Sequence, residues 1–220
     1  MRILPGGRAP GLPWSCAAVV AGQEGGQDPT APWRAALSDQ TCTQYGEPPP
    51  PAMPAAFVLQ WYLQVVAYPA AFAATLTTGV LDVSPQRLTF DLAPGALYPD
   101  RVALAPAGDD LGDLAAPGAD PDDPAARADR QEIAHRRYTD HATRFVLSYQ
   151  PGVKISSRQR LGALRDMWDQ ALTAAHLTLR LSPAAAAPRR ESCCFIYTLP
   201  GVDECASCPR LGLAPTTVEG

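Results

Sequence analysis

The sequence predicts an α+β fold: a mostly helical single domain with a small β element and a C-terminal four-cysteine metal-binding loop. Three observations carry that prediction. Apolar residues recur at three- and four-residue steps in the stretches 124–149 and 157–179, the spacing of a helix with one buried face. Leu88-Thr-Phe-Asp-Leu92 alternates apolar and polar side chains and runs into Pro94-Gly95, the pattern of a strand ending in a turn. Cys193, Cys194, Cys205 and Cys208 gather within sixteen residues, close enough to hold a metal centre with little help from the rest of the chain.

A chain of 220 residues suits one domain with a small appendage. It divides into an irregular N-terminal segment with a Pro-rich linker (1–54), a mainly helical scaffold and substrate region (55–188) and a cysteine-bearing segment (189–220). The formal charge of −4 argues against general affinity for nucleic acid or anionic membrane. Met1-Arg-Ile-Leu-Pro-Gly-Gly7 shows no continuous apolar stretch, so no secretory signal is expected. Clustered cysteines in such a chain favour metal binding in a reducing cytoplasm over disulfides.

Taken in order, residues 1–54 are punctuated by Pro and Gly, with a short helix near Trp33–Leu37 and a stiff run Pro48–Pro54. No charged side chain occurs from Pro48 to Leu81. That length could span a bilayer, but Gln60, Gln64, Pro69 and the threonines Thr75, Thr77 and Thr78 interrupt it and no basic flank follows. Two buried helices are expected instead, Ala55–Ala67 and a second opening at Pro69, with Gly79 as the stop. Residues 81–105 read as a hairpin around Pro94-Gly95, and the aspartate-rich 106–124 as a solvated loop. A helix over Pro124–Tyr149 has Ile133, Tyr138, Phe145 and Leu147 as its apolar side and Arg127, Arg130, Arg136, Arg137 and Arg144 as its polar one. Ser156 or Ser157 caps a last helix reaching Leu179, with Leu161, Leu164, Trp168, Leu172, Ala175 and Leu179 facing the core.

In the cysteine segment, Phe195-Ile-Tyr-Thr-Leu199 has strand composition and Pro200-Gly201 marks a turn. The spacer can therefore double back and bring Cys205 and Cys208 to Cys193 and Cys194. Neighbouring side chains on a strand point to opposite faces, so the backbone at Cys193–Cys194 must leave strand geometry if both bind one centre. Chemistry alone leaves three readings: a four-thiolate zinc site, a [2Fe–2S] cluster, and disulfides, of which a vicinal bridge is strained.

Cys-Cys-x10-Cys-x2-Cys near the C-terminus resembles the signature of FhuF-like ferric siderophore reductases. The likeness includes Arg189 and Arg190 before it, the apolar and aromatic residues after Cys194, and the Pro200-Gly201 turn. It extends more weakly over Ala55–Leu92 and Ser156–Leu172, through a helix–Pro–helix pattern and a capped helix. The resemblance implies a [2Fe–2S] cluster on Cys193, Cys194, Cys205 and Cys208. It also implies one-electron reduction of an Fe(III) siderophore, of the hydroxamate type, releasing Fe(II) in the cytoplasm. No catalytic side chain is expected beyond the cluster. No Gly-x-Gly-x-x-Gly or P-loop pattern is present, so electrons are expected from a separate donor such as a ferredoxin or flavin reductase. No nucleic acid or integral membrane association is expected, with at most peripheral contact. Two other readings stand beside this one: a non-enzymatic module locked by four-cysteine zinc, and an iron–sulfur redox sensor.

The remaining reactive residues have ordinary roles. Cys16 and Cys42 read as buried free thiols. His135, His141 and His176 do not complete a ligand set that four cysteines already fill. Trp61, Tyr62, Tyr68 and Trp168 read as core. The arginines between 127 and 165 are candidates for an anionic substrate or donor protein, weighed against a solvated helix face with local acidic partners.

Overall fold

The charge-free stretch in the middle of the chain forms one helix, and the rest packs around it. The computed structural model describes residues 2–4, 14–105, 120, 123–179 and 189–212. Among them the order is β1 (Arg2–Leu4), β2 (Trp14–Ser15), α1 (Cys16–Glu24), α2 (Ala31–Tyr45), α3 (Ala52–Leu76), β3 (Leu88–Leu92), β4 (Pro99–Leu104), α4 (Pro124–Ser148) and α5 (Ser157–Thr178). The expected α+β fold, mostly helical with a small sheet, is what forms.

The expected break at Pro69 is absent: α3 runs through it. Proline removes one backbone bond and crowds the preceding turn, but α3 packs along its length against both α4 and α5. Most of its side chains from Val58 to Ala74 are buried, and that burial outweighs the local cost. The helix ends at Leu76, where Thr77 returns its N–H to Ala73 O at 3.0 Å and its hydroxyl to the same oxygen at 2.8 Å. α3 is long and apolar enough to cross a membrane, yet 72% of its most apolar window is buried within the protein.

Residues 1–54, expected to be irregular, carry two helices. Ser15 caps α1, accepting the Ala18 N–H at 3.4 Å. α2 opens with Pro32 in its first turn and stops at Gly46, whose φ of 83° suits only a residue without a Cβ. Cys16, Val19, Val20 and Trp33 join the same core as α3, α4 and α5. The indole N–H of Trp33 donates to Leu97 O at 2.8 Å, tying α2 to the hairpin.

The hairpin forms as the alternation predicts. β3 and β4 pair antiparallel from Leu88↔Leu104 to Leu92↔Pro99, with an irregularity at Asp91/Leu92. β2 extends the antiparallel sheet against β3, and β1 adds in parallel to β4, giving the order β1-β4-β3-β2. The aspartate-rich loop and the connector before the cysteines lie outside the described residues.

α4 starts at Pro124 as expected, and α5 starts after the expected cap at Ser156. The Asp123 carboxylate accepts the Ala125 N–H at 3.0 Å, and the Ser156 hydroxyl accepts the Gln159 N–H at 3.2 Å. Their faces differ from expectation in detail. Leu147 is 70% exposed, while Arg127 and Arg130 are buried. Arg130 Nε donates to Ala74 O at 3.2 Å and Arg137 Nη1 to Val80 O at 3.1 Å. These arginines meet carbonyls at and beyond the end of α3, where a helix leaves acceptors unpaired. Leu161 and Leu179 are also exposed, so the core stripe of α5 is narrower than its leucines suggest.

A buried polar chain crosses this core. Val83 O can only accept, so His141 Nδ1 carries the proton donated to it at 2.7 Å. His141 Nε2 then accepts the Tyr62 hydroxyl proton at 2.9 Å. Burial lowers the His141 pKa to about 4, against the Val83 bond that favours the cation. As pH falls below about 6.5 the unfolded chain takes up a proton that the native protein refuses until about 4. Stability is therefore lost across that window, by on the order of 3 kcal/mol in total. Urea unfolding at pH 7 and pH 5 should show the loss, and His141→Gln should remove this part of the pH dependence.

Candidate metal centre

The four cysteines sit in a loop that α3 and α5 clamp by its backbone. The Asp166 carboxylate on α5 accepts the N–H groups of Glu191 and Ser192, each at 2.8 Å, and the Ser192 hydroxyl. Gln159, two turns earlier on α5, takes Cys193 from both sides: its oxygen accepts the Cys193 N–H at 2.9 Å and its amide donates to the Cys193 carbonyl. From α3, Gln60 donates to the Ser192 hydroxyl at 3.2 Å. The loop lies so close to α5 that a Cβ on Gly162 would stand 3.0 Å from Glu191 Cβ and 3.3 Å from Ser192 N. Arg165 pairs with Glu191 at the exposed edge.

The expected strand over Phe195–Leu199 does not form. Phe195 takes a left-handed conformation, φ 61°, and Ile196–Thr198 is a single 3-10 turn. The Phe195 N–H donates to Cys193 Sγ at 3.4 Å, so the amide that a strand would spend on a neighbour is spent on a thiol. The chain thereby leaves strand geometry beside the vicinal pair, as two converging neighbours require. Pro200-Gly201 is the expected turn, with Gly201 at φ 69° and the Val202 N–H returning to Leu199 O at 3.2 Å. A second tight turn spans the Cys-x-x-Cys pair, Cys208 N–H to Cys205 O at 2.8 Å. Arg190 N–H donates to Ser207 O at 3.2 Å and joins the two halves of the loop.

All six cysteines are free thiols. Cys194 Sγ and Cys205 Sγ, one from the vicinal pair and one from the Cys-x-x-Cys turn, are 4.0 Å apart, and Cys208 is a near neighbour of Cys193. Two sulfurs on one tetrahedral metal, with bonds of about 2.3 Å, stand roughly 3.8 Å apart, so the first pair has the spacing of a shared metal. Among the described residues no three His, Cys, Asp or Glu side chains converge on a single-ion position. Four clustered thiols can serve either two irons, each taking two cysteines, or one ion that takes all four.

The donor set fits such a centre. Cys193, Cys194 and Cys208 are buried and Cys205 is partly exposed, so the site is shielded on one side and open on the other. Burial pushes the Cys193 thiol up to about 11, with the Phe195 N–H offsetting part of it. A bare thiol there stays protonated at neutral pH, and a bound metal would hold it as thiolate. Arg190 Nη2 donates to Cys205 Sγ at 2.6 Å and to Cys194 Sγ at 3.5 Å, while its buried Nε has no hydrogen-bond partner. Sulfur acceptors flanked by a cation with a donor to spare are the surroundings of a thiolate-bound, negatively charged group.

Residues 190–210 match the family model of the FhuF 2Fe-2S C-terminal domain. The match covers the whole loop, from Arg190 to the turn after Cys208, and all four cysteines fit its pattern. No curated protein matches the chain. The matched stretch is similar to a domain named for a 2Fe-2S centre, and it is held on a helical scaffold outside the match.

The other candidates lie elsewhere. Cys16 is fully buried beside Tyr62 in the core, where burial pushes its thiol up to about 12. Cys42, expected to be buried, is only half-buried on α2. Cys16→Ala and Cys42→Ala should leave the visible spectrum of the purified protein unchanged, and loss of colour in either would place a ligand outside the loop. His141 is committed to Tyr62 and Val83, and His176 meets Gln131 at 2.9 Å. Arg144 pairs with Glu24 at 2.8 and 2.9 Å. The sequence reading missed Gln60, Gln159, Gly162 and Asp166. A glutamine in a charge-free helix and a glycine inside α5 were the available signals, but neither names its partner.

Proposed function

We propose that this protein holds a [2Fe–2S] cluster on Cys193, Cys194, Cys205 and Cys208 and reduces ferric siderophores by one electron in the cytoplasm, releasing Fe(II). The observation that carries the reading is the cluster of four free thiols within the segment that matches the FhuF 2Fe-2S domain. Such a cluster supplies one-electron chemistry at a low potential, about −400 mV in plant-type ferredoxins.

The chain's own residues have three tasks. Asp166 and Gln159 fix the backbone on which the vicinal cysteines sit, and Gln60 holds the Ser192 hydroxyl beside it. Burial of Cys193, Cys194 and Cys208 keeps water from one side. The partly exposed Cys205 leaves an edge where a bulky chelate can approach. The substrate's hard oxygen ligands, of the hydroxamate type, hold Fe(III) tightly and Fe(II) poorly, so transfer of the electron is enough to free the iron. No general base or nucleophile is required. The electron comes from a separate donor of the ferredoxin or flavin-reductase class.

The test is a single-turnover reaction. Protein reduced anaerobically with dithionite, freed of excess reductant, is mixed with a ferric hydroxamate siderophore and a chromogenic Fe(II) chelator. Reoxidation of the protein matched one-for-one by trapped Fe(II) supports the reading. A reduced protein that stays reduced in the presence of the ferric chelate overturns the reductase and favours a redox sensor.

A further inference from the structure

The Arg190 side chain has a place in the site that neither ligation nor backbone clamping explains. Its guanidinium reaches the sulfurs of Cys205 and Cys194, one from each half of the motif, and its Nη1 donates to Gln60 Oε1 at 3.3 Å. The nearby Glu191 carboxylate is already paired with Arg165, so the charge of Arg190 is turned to sulfur.

We propose that Arg190 is a positioning residue for the electron: its guanidinium bridges the Cys194 and Cys205 sulfurs and raises the reduction potential of the centre those cysteines ligate. This rests on the reading of the four cysteines as cluster ligands. The physical reason is charge. Taking up one electron makes the group at the thiolates more negative by one unit. A fixed cation in hydrogen-bond contact stabilises the reduced form more than the oxidised one, and in a partly buried site little solvent screens it. Hydrogen bonds to cluster sulfurs act in the same direction. Arginine suits the task because it never loses its proton and its planar fork spans two acceptors, whereas a lysine ammonium is a point charge on a flexible stem. The guanidinium is held from behind by Gln60, and the backbone N–H of the same residue is tied to Ser207 O. The cation therefore does not have to be ordered when the electron arrives.

The experiment compares wild type, Arg190→Gln and Arg190→Lys, each purified anaerobically, assayed for iron and sulfide, and titrated optically for midpoint potential, with EPR spectra of the reduced forms. Arg190→Gln should lower the potential by about tenfold in the reduction equilibrium, about 59 mV for one electron, and alter the EPR spectrum. Arg190→Lys should fall between it and wild type. If Arg190→Gln does not retain iron, Arg190→Lys decides: a potential below wild type supports the bridge, and an equal one overturns it. Loaded variants with the wild-type potential overturn the role of Arg190 and leave the cluster reading standing. Wild-type protein without iron and sulfide overturns both.

Discussion

Cys208→Ser should abolish the visible spectrum of the protein, and Cys205→Ser should do the same. Cys208 is 1% exposed, anchored by its N–H to Cys205 O, and adjacent to Cys193. A serine hydroxyl in that position fits the space but is a harder and far weaker acid than a thiol, so it does not replace a thiolate on a soft-ligand centre. In the proposed centre, loss of one cysteine would leave an iron short of a protein ligand. At Cys205 the loss also removes the shorter of the two sulfur contacts of Arg190. The measurement is the absorption spectrum between 300 and 700 nm of anaerobically purified variants, normalised to protein. A variant that keeps the full wild-type spectrum would strike that residue from the ligand set.

The second large effect is expected far from any sulfur. Asp166→Ala should destabilise the loaded protein by on the order of 3 kcal/mol and speed loss of the cluster. Its carboxylate accepts from Glu191 N–H, Ser192 N–H and the Ser192 hydroxyl, at a position only 6% exposed. Hydrogen bonds to a charged group contribute about 1.5–3 kcal/mol each, and buried donors left without an acceptor add to the loss. The freed segment is the one that carries Cys193 and Cys194. Bleaching of the visible band by a strong chelator should therefore quicken in Asp166→Ala, with Asp166→Asn intermediate because it keeps one acceptor oxygen. A bleaching rate equal to wild type would mean that the loop holds its shape without α5.

Much of the fold could be read from local signals. The hairpin followed from Leu88–Leu92 and Pro94-Gly95, α4 from the apolar residues between Ile133 and Leu147, and α5 from its cap at Ser156. The cysteine spacing pointed to the loop that the FhuF domain match covers. What escaped depends on contacts between distant residues. Pro69 looks like a boundary locally, but α4 and α5 pack against α3 and the helix continues through the proline. α1 is too short and uniformly small to show a helical period, and α2 is polar enough to pass for loop. Phe195–Leu199 has the composition of a strand, yet the pull of the Phe195 N–H toward Cys193 Sγ turns it into a 3-10 bend. The clamp was the least legible part. Gln60, Gln159 and Asp166 are single polar residues in helices, and Gln60 meets Ser192 and Arg190 from the other side of the molecule's core helix.

The account turns on what the four thiols bind. The direct measurement is iron, acid-labile sulfide and zinc on one anaerobically purified sample, with its absorption spectrum before and after dithionite. The account predicts a red-brown protein with iron and sulfide in equal amounts, about two of each per chain as a [2Fe–2S] centre requires, that bleaches on reduction. A colourless protein carrying stoichiometric zinc would contradict it and make the loop a structural lock rather than a redox centre.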